Sequence, residues 1–119
     1  MRHFWIAAAS VALCVAGCQS APRHTLGKPD AQAAPVSVFT AFQTASAPRA
    51  VQLRGAMVEK CPSSGCWLRL RDGSGVIKVD LRSSGATITE VALGTEVTVT
   101  GTPVRVGDEV QIEASGVMY

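Results

Sequence analysis

Histidine is scarce in this sequence, and neither sign of charge is in large excess. The 119 residues include two histidines, His3 and His24, both near the N-terminus, and the formal net charge is +2. A catalytic triad of serine, histidine and aspartate needs a histidine within the folded domain, so the sequence weighs against this class of enzyme. The small net charge lacks the basic footprint of a nucleic-acid-binding protein, which weighs against that partner.

Long helical patterns, nucleotide-binding glycine loops and internal repeats are also missing. After Val51 there are instead five short runs with alternating apolar and polar residues: VQLRGAMVEK, CWLRLRD, GVIKVDLR, TEVTVTGT and EVQIEASGV. Turn-forming segments separate these runs. The pattern predicts an all-β domain over residues 51–119, a five-stranded OB-type Greek-key barrel, with an SH3-like barrel as the alternative. Gly55, in the middle of the first run, fits the bend or bulge of a tightly curved barrel strand.

The N-terminus has the pattern of an export signal. Two basic residues precede an apolar run over residues 4–15, which is too short for an ordinary membrane-spanning helix. Residues 15–18, V-A-G-C, resemble the lipobox of bacterial lipoproteins, in which the cysteine is acylated and becomes the first mature residue. This resemblance implies a signal peptide over residues 1–17 and lipidation, typically with palmitate, at Cys18. An ordinary signal peptide that happens to contain Cys18 is the alternative.

The residue after the lipobox cysteine bears on localisation. Gln19 stands there rather than aspartate, which resembles lipoproteins sorted to the outer membrane. The resemblance therefore implies a protein that is anchored to the outer membrane through its N-terminal lipid and faces the periplasm. A single acyl chain anchors only marginally, so stable anchoring implies several chains.

Residues 18–50 have the composition of a linker. They are rich in Ala, Pro, Ser, Gln and Thr, which predicts a lipidated N-terminus followed by a flexible tether. Within this segment, residues 36–45 place Val38, Phe39 and Phe42 at helix-like spacing. They predict either a short helix packed under the domain or an apolar piece of linker.

A motif around two cysteines carries a second resemblance. The sequence C-P-S-S-G-C-W-L, with D-G-S-G, G-T-E-V-T-V-T-G and E-A-S-G-V after it, resembles a family of small exported bacterial OB-fold domains that is uncharacterised. The resemblance covers residues 51–117 and implies a fold but no activity. Lys60 stands just before the first cysteine, where an apolar residue is expected.

Cys61 and Cys66 are the cysteines that remain if Cys14 leaves with the signal peptide and Cys18 is acylated. An even number of thiols in an oxidising compartment favours a disulfide, here one that closes a hairpin. If the two cysteines are opposed across the hairpin, their Cα atoms lie within bridging distance.

That register also fixes the other pairs of the hairpin. Residues whose numbers sum to 127 would face each other, so Met57 meets Leu70, Glu59 meets Leu68 and Lys60 meets Trp67. Glu59 would then point inward near the hairpin tip, which a bulge could relieve. One face of the hairpin is predicted to form part of the core: Val51, Leu53, Met57, Leu68 and Leu70.

Two other roles for the cysteines stay open. Zinc requires four ligands, which this region does not offer, whereas Cu(I) could be bound by Cys61, Cys66 and the thioether of Met57. A redox role is less favoured, since the spacing is not the C-x-x-C of thiol oxidoreductases. The disulfide is the preferred interpretation, and no cofactor is predicted.

The second and third predicted strands carry a candidate ligand face. Its residues alternate away from the predicted core: Trp67, Arg69, Arg71, Lys78 and Arg82. OB folds bind oligomers on this face, and an aromatic ring beside cations suits an anionic polymer or a sugar chain. The plainer interpretation is a solvated face of mixed charge, with Trp67 over the disulfide. The acidic residues Asp72, Asp80, Asp108 and Glu109 fall at turns or exposed strand positions, where charge usually serves solubility.

Together these patterns predict a lipid-anchored envelope protein with a non-catalytic OB-fold module. Its partner would be an envelope component: a glycan, peptidoglycan or a protein. The alternative is a periplasmic copper- or thiol-stress protein that uses Cys61 and Cys66.

Overall fold

The structure is a computed structural model that describes residues 24–119. The predicted signal peptide and the lipidation site Cys18 lie outside the described residues. In chain order the elements are β1 (Thr25–Gly27), β2 (Ala34–Pro35), α1 (Val38–Thr44), β3 (Val51–Lys60), β4 (Trp67–Asp72), β5 (Gly75–Asp80), a 3-10 helix (Arg82–Ser84), β6 (Glu96–Val106) and β7 (Glu109–Met118).

Strands β3 to β7 close into a barrel. The order around it is β3, β4, β5, β7 and β6, and β6 pairs back with β3. Neighbouring strands are antiparallel except β5 and β7, which run parallel. A long connection that includes the 3-10 helix separates β5 from β6. The closed five-stranded barrel confirms the predicted all-β, OB-type fold.

Side chains that alternate along the strands fill the barrel. The five predicted core residues, from Val51 to Leu70, are each at most 1% exposed. They meet inward residues of the other three strands: Ile77, Val79, Val97, Val99 and Ile112. Because burying an aliphatic side chain of this size stabilises the fold by about 1.5–3 kcal/mol, the period-2 alternation determines which face of each strand turns inward.

Strand β3 changes neighbours near its middle. Its first half pairs with β6 and its second half with β4, and Ala56 pairs with both. At Gly55, a Cβ atom would lie 2.3 Å from the carbonyl oxygen of Arg71. Glycine is therefore required where the strand bends to close the barrel, as the sequence predicted.

Elements within residues 24–50 pack on the barrel, which corrects the predicted tether for this part, while residues 18–23 lie outside the described residues. Strand β1 pairs with β7, and β2 pairs in parallel with β3. Small residues dominate the segment, so its composition predicts a linker. The segment is nevertheless held on the barrel, because its backbone pairs with β7 and β3 and this pairing does not require large side chains. The folded unit thus begins well before Val51, the predicted domain boundary.

Helix α1 lies within the predicted helical segment 36–45 and packs through Val38, as expected, but through Ala41 instead of the two phenylalanines. Val38 and Ala41 are completely buried, whereas Phe39 and Phe42 are 58% and 38% exposed. The Ser37 hydroxyl accepts a hydrogen bond from the Thr40 N–H at 3.1 Å and caps the helix. Among the described residues, no helix is long and apolar enough to cross a membrane.

The turn between β4 and β5 holds the start of α1. An oxygen of Asp72 accepts a hydrogen bond from the Val38 N–H at 2.8 Å, and the Ser74 hydroxyl accepts one from the Phe39 N–H at 3.0 Å. These bonds satisfy N–H groups that have no partner within a helix. They fix α1 beside the face of β4 and β5 that carries the candidate site.

Candidate ligand groove and cysteine loop

The predicted ligand face exists as a continuous surface on β4 and β5. Arg69 pairs with Lys78 across the two strands, and Trp67 pairs with Asp80. The Lys78 ammonium nitrogen lies 5.4 Å from the centre of the Trp67 ring, a cation–π contact. Trp67 therefore packs beside a cation on the outer face, where an aromatic platform and positive charge adjoin.

Two of the predicted cations have acidic partners. Arg69 is 3.3 Å from a carboxylate oxygen of Glu59, in a partly exposed pair that contributes little to stability. Arg82 lies in the 3-10 helix rather than on the strand face, and its guanidinium binds Asp80 at 2.6 Å. Arg82 therefore already has a carboxylate partner, although its side chain is 76% exposed.

Asp80 occupies a different environment from the one predicted. The sequence placed it at an exposed position, but the residue is only 8% exposed. Hydrogen bonds from the Arg82 side chain lower the pKa of Asp80, and they outweigh the opposing effect of burial. The carboxylate thus neutralises Arg82 instead of serving solubility.

A groove with a volume of about 390 Å³ adjoins the ligand face. Three parts of the fold line it: Phe42 of α1, residues of β4 and β5 including Arg69, Val76 and Lys78, and the β6–β7 turn with Arg105, Asp108, Glu109 and Val110. A volume of this size falls within the usual range for small-molecule sites. Arg71, the remaining predicted face residue, is exposed on β4 beside Val76 but does not line the groove.

The β6–β7 turn brings residues to the groove that the sequence did not assign to a site. Val106 pairs with Glu109, so Gly107 and Asp108 form a two-residue turn, with Gly107 at a φ of +62°. The motif R-V-G-D signals this turn in the sequence. Its position beside β5 depends on the parallel pairing of β5 with β7, which joins distant parts of the chain.

The first hairpin contains a bulge that changes the predicted register. Met57 faces Leu70 as predicted, but the register then shifts, so that Glu59 faces Arg69 and Lys60 faces Leu68. The predicted pairs of Glu59 with Leu68 and Lys60 with Trp67 are therefore wrong. The extra residue turns the Glu59 carboxylate away from the core, where an unpaired charge would be costly.

The same shift changes the surroundings of Cys61. Its N–H donates to the carbonyl oxygen of Trp67 at 3.1 Å, so Trp67, and not Cys66, lies across from it. Both thiols are free in the structure: Cys61 is buried and Cys66 is half-buried. The opposed geometry predicted for the two cysteines is thus corrected, while the disulfide remains a prediction about the oxidised protein.

Two serines surround the Cys61 sulfur. The Ser63 and Ser64 hydroxyl oxygens lie 3.4 Å and 3.6 Å from it. Hydrogen bonds from the Ser63 side chain, and from the backbone and side chain of Ser64, lower the pKa of Cys61 to about 5. These contacts therefore favour the thiolate form of Cys61.

The loop between the cysteines is fixed by its backbone. The Gly65 N–H donates to the Cys61 carbonyl at 3.3 Å, and the Gly65 carbonyl accepts from the Ile88 N–H at 3.1 Å. A Cβ atom at Gly65 would lie 2.7 Å from the backbone nitrogen of Thr89, and its φ is +60°. Lys60 reaches the same segment, where its ammonium group donates to the Thr89 carbonyl at 2.9 Å, which accounts for a charged residue at an expected apolar position.

The third predicted copper ligand lies in the barrel interior. Met57 is completely buried within the hydrophobic core. Among the described residues, no three histidine, cysteine, aspartate or glutamate side chains are grouped so that they could hold a metal ion. Any soft metal bound at this loop would thus rely on the two cysteines.

Comparison with known proteins gives a structural relationship. Neither a scan of protein-family models nor a search of curated proteins finds a match. Among solved structures, the fold is similar to that of the hypothetical protein ygiW from E. coli, with a TM-score of 0.56 and 24% identity. The similarity covers 78% of this chain and 98% of that chain. At this identity the relationship supports the OB-type barrel and carries no function.

Proposed function

We propose that this protein is a lipid-anchored, non-catalytic OB-fold module that binds an anionic component of the bacterial envelope. The observation that carries the proposal is the outer face where Lys78 stacks on Trp67 beside Arg69, next to a groove of about 390 Å³. Stacking platforms beside cations suit anionic or sugar-containing polymers, and OB folds bind oligomers on this face. Peptidoglycan is the component that we would test first, ahead of other glycans and protein partners.

The non-catalytic part of this proposal draws on the placement of the polar side chains. His24, the histidine of the described region, stacks on Tyr119 with ring centres 4.9 Å apart and does not line the groove. The groove's own carboxylates, Asp108 and Glu109, belong to an exposed turn. This arrangement favours reversible binding over acid–base chemistry, which requires groups positioned in a cleft with suitable pKa values.

The anchoring part of the proposal draws on the V-A-G-C motif before the described residues. Replacing Cys18 with alanine should abolish acylation and leave the precursor uncleaved at that junction. Mass spectrometry and membrane fractionation would measure both effects. Normal processing of the Cys18→Ala protein, together with unchanged fractionation, would remove this part of the proposal.

Retention on purified peptidoglycan tests the binding part. Full-length protein in detergent should bind, and an Arg69→Ala/Arg71→Ala variant should bind several-fold less, because two cations are removed from the outer face. Added salt should weaken the wild-type interaction, since exposed charges are screened. The matched control is Arg49→Ala, which removes an exposed cation outside the groove. Unchanged binding by the double variant, or binding that does not respond to salt, would contradict the proposal.

The low pKa of Cys61 favours a second candidate, a copper- or thiol-stress function. A thiolate is the form that binds soft metals and reacts with oxidants, and Cys66 lies five residues further along. The alkylation rate of Cys61 should have a midpoint near pH 5, and Ser63→Ala/Ser64→Ala should raise that midpoint. Reduced protein that gains no stability from Cu(I), together with an alkylation midpoint near pH 9, would exclude this candidate.

A further inference from the structure

The groove carries side chains of both charges, and we propose that its ligand is the short, zwitterionic stem peptide of peptidoglycan rather than the sugar chain. This inference rests on the proposed function and names the part of the polymer that the groove takes. It depends on three features of the groove: its charges, the incomplete strand pairing beside it and its apolar side chains.

The charges of the groove are arranged to meet a ligand with both an amine and carboxylates. Lys78 and Arg69 stand on the strand side, and Asp108 and Glu109 stand on the β6–β7 side together with Arg105. Within residues 24–119, Lys78, Asp108 and Glu109 form no salt bridge. A purely anionic ligand would meet the two carboxylates unfavourably, while a zwitterionic ligand would find partners for both of its charges.

The pairing between β5 and β7 stops beside the groove. Pairing between β5 and β7 begins at Lys78 and Gln111. Before that point, Val76 and Ile77 of β5 have no pairing partner in β7 within the described chain, although both line the groove together with Val110. Backbone N–H and C=O groups at such an edge can bind an extended peptide through main-chain hydrogen bonds. A sugar chain has no such backbone to continue the ladder.

Apolar side chains complete the groove. Phe42 is 38% exposed and Val76 is 40% exposed, and both line it. Stem peptides combine alanine methyl groups with free carboxylates and, where a diamino acid is present, a free amino group. The methyl groups would contact Phe42 and Val76, the carboxylates would meet Lys78, and the amino group would meet the acidic turn.

Competition on peptidoglycan separates this inference from the proposed function. Full-length protein is bound to peptidoglycan, and either a free stem peptide with a diamino acid or a peptide-free oligosaccharide of N-acetylglucosamine is added. Displacement by the peptide and not by the sugar is expected. Displacement by the sugar alone, or by neither compound, would overturn the inference and leave the proposed function intact. Failure to bind peptidoglycan at all would instead count against the proposed function.

Charge neutralisation of the turn tests the role of the ligand's amine. In direct titrations, Asp108→Asn/Glu109→Gln should bind the free-amine stem peptide about tenfold more weakly than wild type, because two exposed ion pairs are lost. Binding of the amine-acetylated peptide should be unchanged. The control Glu90→Gln, an exposed acid outside the groove, should match wild type. Unchanged or tighter binding of the free-amine peptide by the double variant would overturn the inference.

Discussion

At the scale of single residues, one bulge determines which residues are paired across the two strands of the first hairpin. After Met57 the register shifts by one residue, which turns Glu59 outward to Arg69 and places Trp67 across from Cys61. The alternation of the sequence places Glu59 on the inner face, and burying its charge there would be costly. The bulge removes this conflict between the local pattern and the core.

The first prediction concerns Cys61 and Cys66. In an oxidising compartment we expect the two thiols to form an intramolecular disulfide, because they are close in sequence and flank a turn closed by the Gly65 N–H. A loop this short should add about 2 kcal/mol to the free energy of unfolding. The intact mass of protein purified without reductant should be lower by two hydrogens than that of the reduced protein.

Reductant provides the control for this prediction. It should lower the stability of the wild type in urea and leave the Cys61→Ser/Cys66→Ser variant unaffected. Two thiols that can be alkylated in protein taken directly from the oxidising compartment would show that the pair stays reduced there.

At the scale of elements, Gly55 allows β3 to pair with two neighbouring strands, β6 and β4. Replacing it with alanine would place a Cβ atom 2.3 Å from a backbone oxygen, which cannot move aside as a side chain can. We expect Gly55→Ala to lower the free energy of unfolding by about 1–3 kcal/mol or more. Gly73→Ala is the matched control, since a Cβ there has no atom within 4 Å. Equal stability of the two variants in urea unfolding would contradict the proposed bend.

The docking of α1 should depend on pH through Asp72. Burial raises the pKa of this carboxyl, but hydrogen bonds from Ser74, Val38 and Gly75 together lower it below its usual value of 3.8. Because the folded-state pKa is depressed, the stabilisation is present above the ordinary pKa and is lost as the pH falls through the lower, folded value. Asp72→Asn should therefore cost about 1 kcal/mol at pH 7 and less at a pH below the folded-state pKa.

Urea unfolding at the two pH values measures this effect. The exposed Glu90→Gln serves as the control, since Glu90 makes no capping bond to α1. If Asp72→Asn lowers the free energy of unfolding equally at both pH values, the loss comes from a steric effect of the substitution and not from removal of the charged carboxylate.

Sequence patterns predict some of these elements and miss others. Alternation predicts the five barrel strands and their buried faces, because burial of one face is a local and periodic requirement. Strands β1 and β2 span only three and two residues and have no period to detect. Phe39 and Phe42 are exposed because α1 buries Val38 and Ala41 instead and because Asp72 and Ser74 hold its first turn.

At the scale of the whole molecule, the groove arises from contacts that no local pattern specifies. The sequence indicates Arg69 and Lys78, which sit on neighbouring strands of one hairpin. Asp108 and Glu109 reach them only because β5 and β7 pair in parallel across the barrel. Phe42 reaches them because α1 docks on the β4–β5 turn. The sequence therefore predicts half of the site, and the closure of the barrel supplies the rest.

The same closure makes the segment before β3 part of the folded unit. Val38 and Ala41 of α1 are completely buried in the barrel's hydrophobic core. A protein limited to residues 51–119 should keep a β-type circular dichroism spectrum but be less stable in urea than residues 24–119. The expected loss is about 2 kcal/mol or more, since burial of a valine side chain alone contributes roughly that amount.

Point variants make this last prediction independent of whether the shortened protein stays soluble. Val38→Ala removes two methyl groups from a fully buried position and should lower the free energy of unfolding by about 1–2 kcal/mol. Phe39→Ala removes a larger side chain from the next position, but that residue is 58% exposed, so it should change stability by less than about 0.5 kcal/mol. A larger loss for Phe39→Ala than for Val38→Ala would mean that α1 packs through its aromatic face, as its hydrophobicity alone suggests.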